Sequence, residues 1–370
     1  MDVRPLLSTM VERKASDLFI TAGFPPSAKI DGELTPLSDA ALTPEQSLAL
    51  VHSVMTDAQQ QEFSQSKECN FAFAVKGLGR FRVSAFWQRE SCGCVMRRIE
   101  TRIPTVEELH LPQILKDLVM SKRGLVIMVG GTGTGKSTSL AALVGYRNAH
   151  ARGHILTIED PVEFVHNHNQ SIITQREVGI DTESFDAALK SSLRQAPDVI
   201  LIGEIRSQET MEFALSFAET GHLCMATLHA NNANQALDRI MHLVPENKHH
   251  QLLFDLSLNL KAIVAQQLIP RIDGNGRRAA IEVLINTPRV ASLIQNNELH
   301  LIKETMAKST EQGMQTFDQA LFSLYQEGEI SYADALHCAD SPNDLRLMIK
   351  LASSGQGSSG MMDGVTIDMD

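Results

Sequence analysis

The chain has 370 residues, enough for about two domains with full-sized cores, and carries 33 Lys and Arg against 44 Asp and Glu, a net charge of -11 and a pI near 5.6. That acidic balance argues against a dedicated nucleic-acid binder and for protein partners. No apolar run approaches the roughly 18 residues needed to cross a bilayer, and Met1-Asp2-Val3-Arg4-Pro5 lacks a signal-peptide core, so a cytoplasmic place is expected, at most docked on a membrane protein.

In chain order, residues 1–99 read as a small α+β domain. Pro5 to Lys14 suits a helix, Asp17 to Thr21 a strand, Ala28 to Leu34 a hairpin turning at Asp31-Gly32, and Thr43-Pro44-Glu45-Gln46 a capped helix start. Three segments of alternating character, beginning at Asn70, Gly79 and Gly93, supply antiparallel strands. Residues 100–113, with Pro104, form a linker. From 114 to 350 apolar strands alternate with helices, the pattern of a parallel α/β domain, with strands at 124–129, 154–158, 198–202 and 223–228 and helices at about 136–149, 184–195 and 207–219. Residues 232 to 351 read as mostly helical. The tail, 351–370, is acidic and rich in Ser and Gly, and disorder is expected there.

One segment carries most of the chemical information. Gly130-Gly131-Thr132-Gly133-Thr134-Gly135-Lys136-Ser137-Thr138 follows the apolar run Leu125 to Val129 and opens a helix, which is the strand, phosphate loop and helix of a nucleoside-triphosphate cradle. Backbone N–H groups and the helix N-terminus face the phosphates, Lys136 reaches the β and γ oxygens, and the Ser137 hydroxyl can bind Mg²⁺. Hydrolysis further needs a metal-side acid, a group acting on water and cations on the developing charge, each at the end of a core strand. The strand 154–158 runs into Glu159-Asp160-Pro161-Val162-Glu163, where Glu163 is the preferred water-activating base. The strand 198–202 ends in Gly203-Glu204-Ile205-Arg206, so Glu204 stands where an aspartate is usual and can meet the ion through a water. His222 and His229 flank the next strand at opposite ends. His229, at the C-terminal end, is the candidate sensor of phosphate or water, and His222 is expected to be structural.

The five cysteines form no CxxC pair and read as reduced core thiols, so no zinc is expected. His166 and His168, and His249 and His250, read as solvated side chains.

Taken together, the boxes at 130–137, 158–163, 201–206 and 220–229 resemble the four signature boxes of the secretion ATPase superfamily. With Ala15-Ser16-Asp17-Leu18, Asp31-Gly32 and Gly313 to Asp318, the resemblance narrows to the type IV pilus retraction motors of the PilT/PilU family. It implies a PAS-like N-terminal domain, a RecA-like P-loop ATPase domain, a homo-hexameric ring and ATP held between domains. It also implies a place at the cytoplasmic face of the inner membrane, beside a platform protein. Carried over, Lys136 is the phosphate-loop lysine, Glu163 the catalytic glutamate, Glu204 the metal-wall acid and His229 the histidine-box residue. Arg82 and Arg97 match the N-domain arginines that reach a neighbour's nucleotide. The missing CxxC module excludes the assembly branch. The PilT helix Ala-Ile-Arg-Asn-Leu-Ile-Arg-Glu is replaced by a segment at 289–298 that lacks both matching arginines, which points to the PilU branch and to a motor working with PilT. Two rival readings are a RecA-like nucleic-acid translocase, which needs a basic channel with stacking aromatics, and an ATP-binding regulator without motor activity.

Overall fold

The computed structural model describes residues 2–30, 32–99 and 102–356. They fall into two compact units, one formed by Met1–Arg102 with Glu163–Val165, the other by Ile103–Val162 with His166–Asp370.

The first unit runs α1 (Arg4–Glu12), β1 (Asp17–Thr21), β2 (Ser27–Ile30), β3 (Glu33–Pro36), α2 (Pro44–His52), α3 (Asp57–Ser66), β4 (Glu68–Val75), β5 (Gly79–Gln88) and β6 (Ser91–Ile99). Its strands pair antiparallel in the order β3-β2-β1-β6-β5-β4. Alternation does the sorting: Phe81, Val83 and Ala85 of β5 are buried with Leu18, Ile20 and Met96, while their neighbours along the strand are more exposed. The expected cap at α2 is a full capping box, with Gln46 N–H donating to Thr43 Oγ1 at 3.2 Å and Thr43 N–H to Gln46 Oε1 at 2.9 Å. Of the hairpin signal, Gly32 takes a φ of +89° and Asp31 lies outside the described residues. Helix α3 was not foreseen, because its Gln-rich sequence buries only Phe63 and has almost no apolar stripe.

The second unit begins with α4 (Ile114–Val119), β7 (Gly124–Val129), α5 (Lys136–His150), β8 (Gly153–Glu159), β9 (Ser171–Glu177), α6 (Phe185–Ser192), β10 (Val199–Ile202), α7 (Gln208–Glu219) and β11 (Leu223–Leu228). It continues through α8 (Ala233–His242), α9 (His249–Asn259), β12 (Leu260–Pro270), β13 (Arg277–Ile285), α10 (Pro288–Gln295), α11 (Ile302–Ala307), α12 (Phe317–Gln326), α13 (Tyr332–Cys338) and α14 (Pro342–Gln356). The strand order is β13-β12-β7-β11-β10-β8-β9, all parallel except for β13 against β12. Every residue of β7, β10 and β11 is buried because helices cover both faces; Leu125, Ile127 and Val129 enter one core and Val126 and Met128 the other.

Three departures from the sequence reading have physical causes. The region after 232 is not all helical: β12 and β13 form a hairpin around Gly274 and Gly276, both in left-handed conformations. The continuous apolar run Ala262 to Ala265 is what a doubly covered strand and a buried helix share, so periodicity could not separate them. Strand β9 was missed because it is an edge strand with polar residues and an exposed Ile172. Helix α14 continues through Leu351 to Gln356, into the segment expected to be disordered; residues 357–370 lie outside the described residues.

Candidate nucleotide site

The site grows from the C-terminal ends of adjacent parallel strands. Strand β7 delivers Gly130 to Gly135, and α5 starts at Lys136. Gly130, Gly133 and Gly135 take φ values of +157°, +77° and +85°, which L side chains resist. At Gly130 there is no room either, since a Cβ would lie 2.7 Å from the Gln266 carbonyl oxygen and 2.5 Å from Thr134 Oγ1. Lys136 Nζ donates to the carbonyls of Gly130 and Gly131 at 2.7 and 2.8 Å, and Thr134 Oγ1 donates to Gly131 O at 3.0 Å. The lysine therefore folds back over the loop, its charge at the mouth of the cradle. Ser137 and Thr138 sit in the first turn of α5.

Beside the loop, β11, β10 and β8 contribute an ionic chain. Glu204 shares its carboxylate between Arg206 Nε at 2.6 Å and His229 Nε2 at 3.3 Å, and Arg206 Nη1 continues to Asp160 Oδ2 at 3.4 Å. Glu204 in turn holds the Arg206 guanidinium above its ordinary pKa. The side chain of Glu159 turns elsewhere, accepting from Thr157 Oγ1 at 2.6 Å and Gln175 Nε2 at 3.2 Å.

The displaced acid also has a steric reason. Gly203 N–H donates to Ile158 O at 2.7 Å, and a Cβ at 203 would stand 3.1 Å from both Ile158 O and Glu159 Cα. A side chain at the strand end itself would crowd the backbone of β8, and the carboxylate comes from the next residue. Thr227 closes the arrangement by donating its hydroxyl to Gly203 O. A cavity of about 320 Å³ opens between Gly131 of the loop and His229, Asn231, Gln235 and Arg239. His222 stays at the opposite end of β11, its ring against Thr220 Oγ1 and the Phe217 carbonyl, a structural place.

The sequence-predicted site residues thus divide. Gly130 to Thr138, Glu204 and His229 gather at the C-terminal ends of β7, β10 and β11 in the second unit. Glu163 is exposed and groups with the first unit, as do Arg82 and Arg97. Within that unit Arg82 lies opposite Arg97 on β5 and β6, and Arg97 opposite Asp17 on β1. Asp17, 6% exposed in its side chain, holds Arg97 Nε at 2.8 Å while the arginine side chain remains 67% exposed. Ser16 Oγ donates to the other Asp17 oxygen at 2.7 Å. Asp17 belongs to the Ala15-Ser16-Asp17-Leu18 segment and Asp160 and Arg206 to the boxes at 158–163 and 201–206, where pattern alone gives them no role. Gln266, which touches the phosphate loop, gave no signal, being inside an unforeseen strand.

The cysteines at 69, 92, 94 and 224 are buried free thiols, and Cys338 is half-buried. Burial pushes the Cys94 and Cys224 thiols well above their ordinary range. Of the histidines read as solvated, His250 is exposed, but His166 is half-buried and its imidazole is pushed down to about 4 by burial. His168 is exposed as expected, and its Nδ1 also accepts from Ile173 N–H at 3.1 Å.

Comparison with known proteins gives the same frame. Residues 2–326 match the family model described as type II/IV secretion system protein. The chain is 61% identical over its whole length to the type IV pilus ATPase PilU of Pseudomonas aeruginosa, covering 97% of that protein. It belongs to the PilT/PilU family of pilus retraction ATPases. PilT of the same organism is 40% identical over 93% of this chain and all of its own length. The crystal structure of the pilus retraction motor PilT with bound ADP superposes with a TM-score of 0.89 at 40% identity, covering 94% of this chain and all of that one. The fold class expected from sequence, an N-terminal α+β domain followed by a RecA-like ATPase domain, agrees with this likeness. Among the described residues no helix is long and apolar enough to cross a membrane.

Proposed function

We propose that the chain binds ATP with Mg²⁺ in the second unit, hydrolyses it to ADP and phosphate, and works as a homo-hexameric motor that aids pilus retraction alongside a PilT motor. The observation that carries the catalytic part is the chain Asp160–Arg206–Glu204–His229 running along the C-terminal strand ends next to the loop. It holds a carboxylate and an imidazole at the two strand ends nearest the phosphates. The donor set suits Mg²⁺, which takes one or two protein oxygens and completes its shell with phosphate and water. Ser137 supplies one such oxygen, and Glu204 acts through a water because two of its contacts are already spent on Arg206 and His229.

In this reading Lys136 neutralises the transferring phosphoryl group, His229 senses it, and Glu163 orients and deprotonates the attacking water. Arg97, aimed outward by Asp17, and its cross-strand neighbour Arg82 serve the nucleotide of an adjacent subunit. The accessory role rests on α10, where Val290, Leu293 and Ile294 are buried and the outer face carries no arginine after Arg289. The ring would stand at the cytoplasmic face of the inner membrane, against a platform protein.

Phosphate release by purified protein, alone and with PilT, tests the activity; no release in either case removes the motor reading. Mixed rings of Arg97→Ala and Lys136→Ala subunits should regain activity that each lacks alone, and no recovery in proven hybrids would assign Arg97 to structure only. In cells, the chain should support retraction with a catalytically dead PilT and fail when PilT is deleted. Vigorous retraction without PilT would reject the accessory role.

A further inference from the structure

Gln266 is 2% exposed and lies on β12 one residue beyond Ala265, which pairs with Val129, the last residue of β7. On that side the strand therefore outruns β7 and sets Gln266 beside the phosphate loop, while its other side stays paired with Ile281 of β13. Both ends of its side-chain amide are used: Nε2 donates to Thr134 O at 2.8 Å, and Oε1 accepts from Ser139 Oγ at 2.8 Å. Ser139 is itself buried in the first turns of α5. The fit is tight, for a Cβ on Gly135 would stand 2.8 Å from Gln266 Nε2.

The consequence follows from peptide geometry. The Thr134 carbonyl and the Gly135 N–H share one planar unit and point in opposite directions. Drawing that carbonyl inward, onto a buried donor, turns the Gly135 N–H outward to the face where phosphates bind. Without the donor, the carbonyl loses its buried partner, and the peptide is free to turn over in a loop whose glycines resist nothing.

We propose that Gln266 is a positioning residue of the phosphate loop: its amide clamps the Thr134–Gly135 peptide to α5 through Ser139 and so presets the cradle for the nucleotide's phosphates. This rests on the loop being the nucleotide site, as argued above.

The test compares Gln266→Met, which keeps length and removes both polar ends, with Gln266→Glu, assayed at alkaline pH so that the carboxyl is ionised, which keeps the acceptor for Ser139 and removes the donor to Thr134. Full-length protein is used, with Kd for ATP and ADP, KM and kcat, and melting temperature measured with and without nucleotide. Both variants should bind ATP and ADP about tenfold or more weakly, the loss of one buried amide bond, at temperatures where they are fully folded. Ser139→Ala should weaken binding by less, because the Thr134 bond survives. A merely structural glutamine would lower the melting temperature and leave Kd and KM of the folded protein unchanged, and that result overturns the proposal. If Gln266→Met does not fold, Gln266→Asn, one methylene short of Thr134, takes its place under the same criterion. Absence of ATP binding by the unaltered protein would instead remove the site reading beneath it.

Discussion

The two flanks of β7 hold their functional groups in different ways. On one side, β11, β10 and β8 end in His229, Glu204 and Asp160, polar groups standing clear of the sheet, with Arg206 ion-paired to Glu204 and Asp160 and His229 in contact with Glu204. On the other side, β12 and β13 offer Gln266 and Glu282, both 2% exposed, whose partners are mainly backbone groups. In the proposed reading the first flank carries the groups that meet substrate, and the second fixes the backbone that presents them. Gln266 holds the phosphate loop, and Glu282, paired with Ala265 on the same hairpin, accepts from Ala233 N–H at 2.7 Å at the start of α8, just beyond the His229 loop.

The largest expected effect belongs to the chemical residues. Glu163→Gln should bind ATP and turn over more slowly by about two to four orders of magnitude, since it loses a base acting mainly in the transition state. Lys136→Ala should lose nucleotide affinity as well, because that charge acts in both ground and transition states. Affinity and phosphate release on the two variants check this, and near-normal turnover by Glu163→Gln would take it out of the reaction.

On the buttressing flank, Glu282 should show itself in stability and not in chemistry. Burial pushes the Glu282 carboxyl up to about 7, opposed by the Ala233 and Phe317 N–H groups and by Lys303, and aided by Asp340. Between the unfolded value of 4.5 and about 7 the native state keeps a proton that the unfolded chain releases, so stability falls as pH rises through that window and levels above it. The full amplitude is on the order of 3 kcal/mol, taking the shift from 4.5 to about 7 at 1.36 kcal/mol per unit. Glu282→Gln keeps an acceptor for Ala233 and cannot ionise, so its melting temperature should gain on the unaltered protein from pH 5 to 7.5. Parallel melting curves across that range would show that Glu282 does not titrate there.

This contrast also explains what could be read from the chain. The phosphate loop, Glu204 and His229 were legible because a glycine run, an acid after an apolar strand and a histidine after another each announce themselves at strand ends. The parallel core around β7 was legible from its apolar runs for the same reason. Gln266 was not, because one polar residue inside an apolar run looks like an interruption and not a site, and its partners Thr134 and Ser139 are more than a hundred residues distant. Asp17 shows the intermediate case: the segment was visible, but its bond to Arg97 needs the β1–β6 register, which sequence pattern does not give.

The smallest effect sharpens the boundary between chemistry and support. Gly203 has an ordinary negative-φ or extended backbone, so Gly203→Ala brings no conformational strain, and only the added methyl matters. That methyl meets backbone, at 3.1 Å from Ile158 O and Glu159 Cα, and backbone cannot swing aside as a side chain does. The ends of β8 and β10 must part by a few tenths of an ångström, stretching the Gly203 to Ile158 hydrogen bond. Overpacking of this kind costs about 1 kcal/mol or somewhat more, which in a domain of this size lowers the melting temperature by roughly 2–4 °C. The same parting moves Asp160 away from Arg206, so kcat should fall by more than the small stability loss accounts for, while ATP affinity, set by the loop on β7, stays near normal. A variant with lowered melting temperature and unchanged kcat would mean that the Asp160–Arg206 contact does not tune Glu204. It would move β8 to the supporting side of the division.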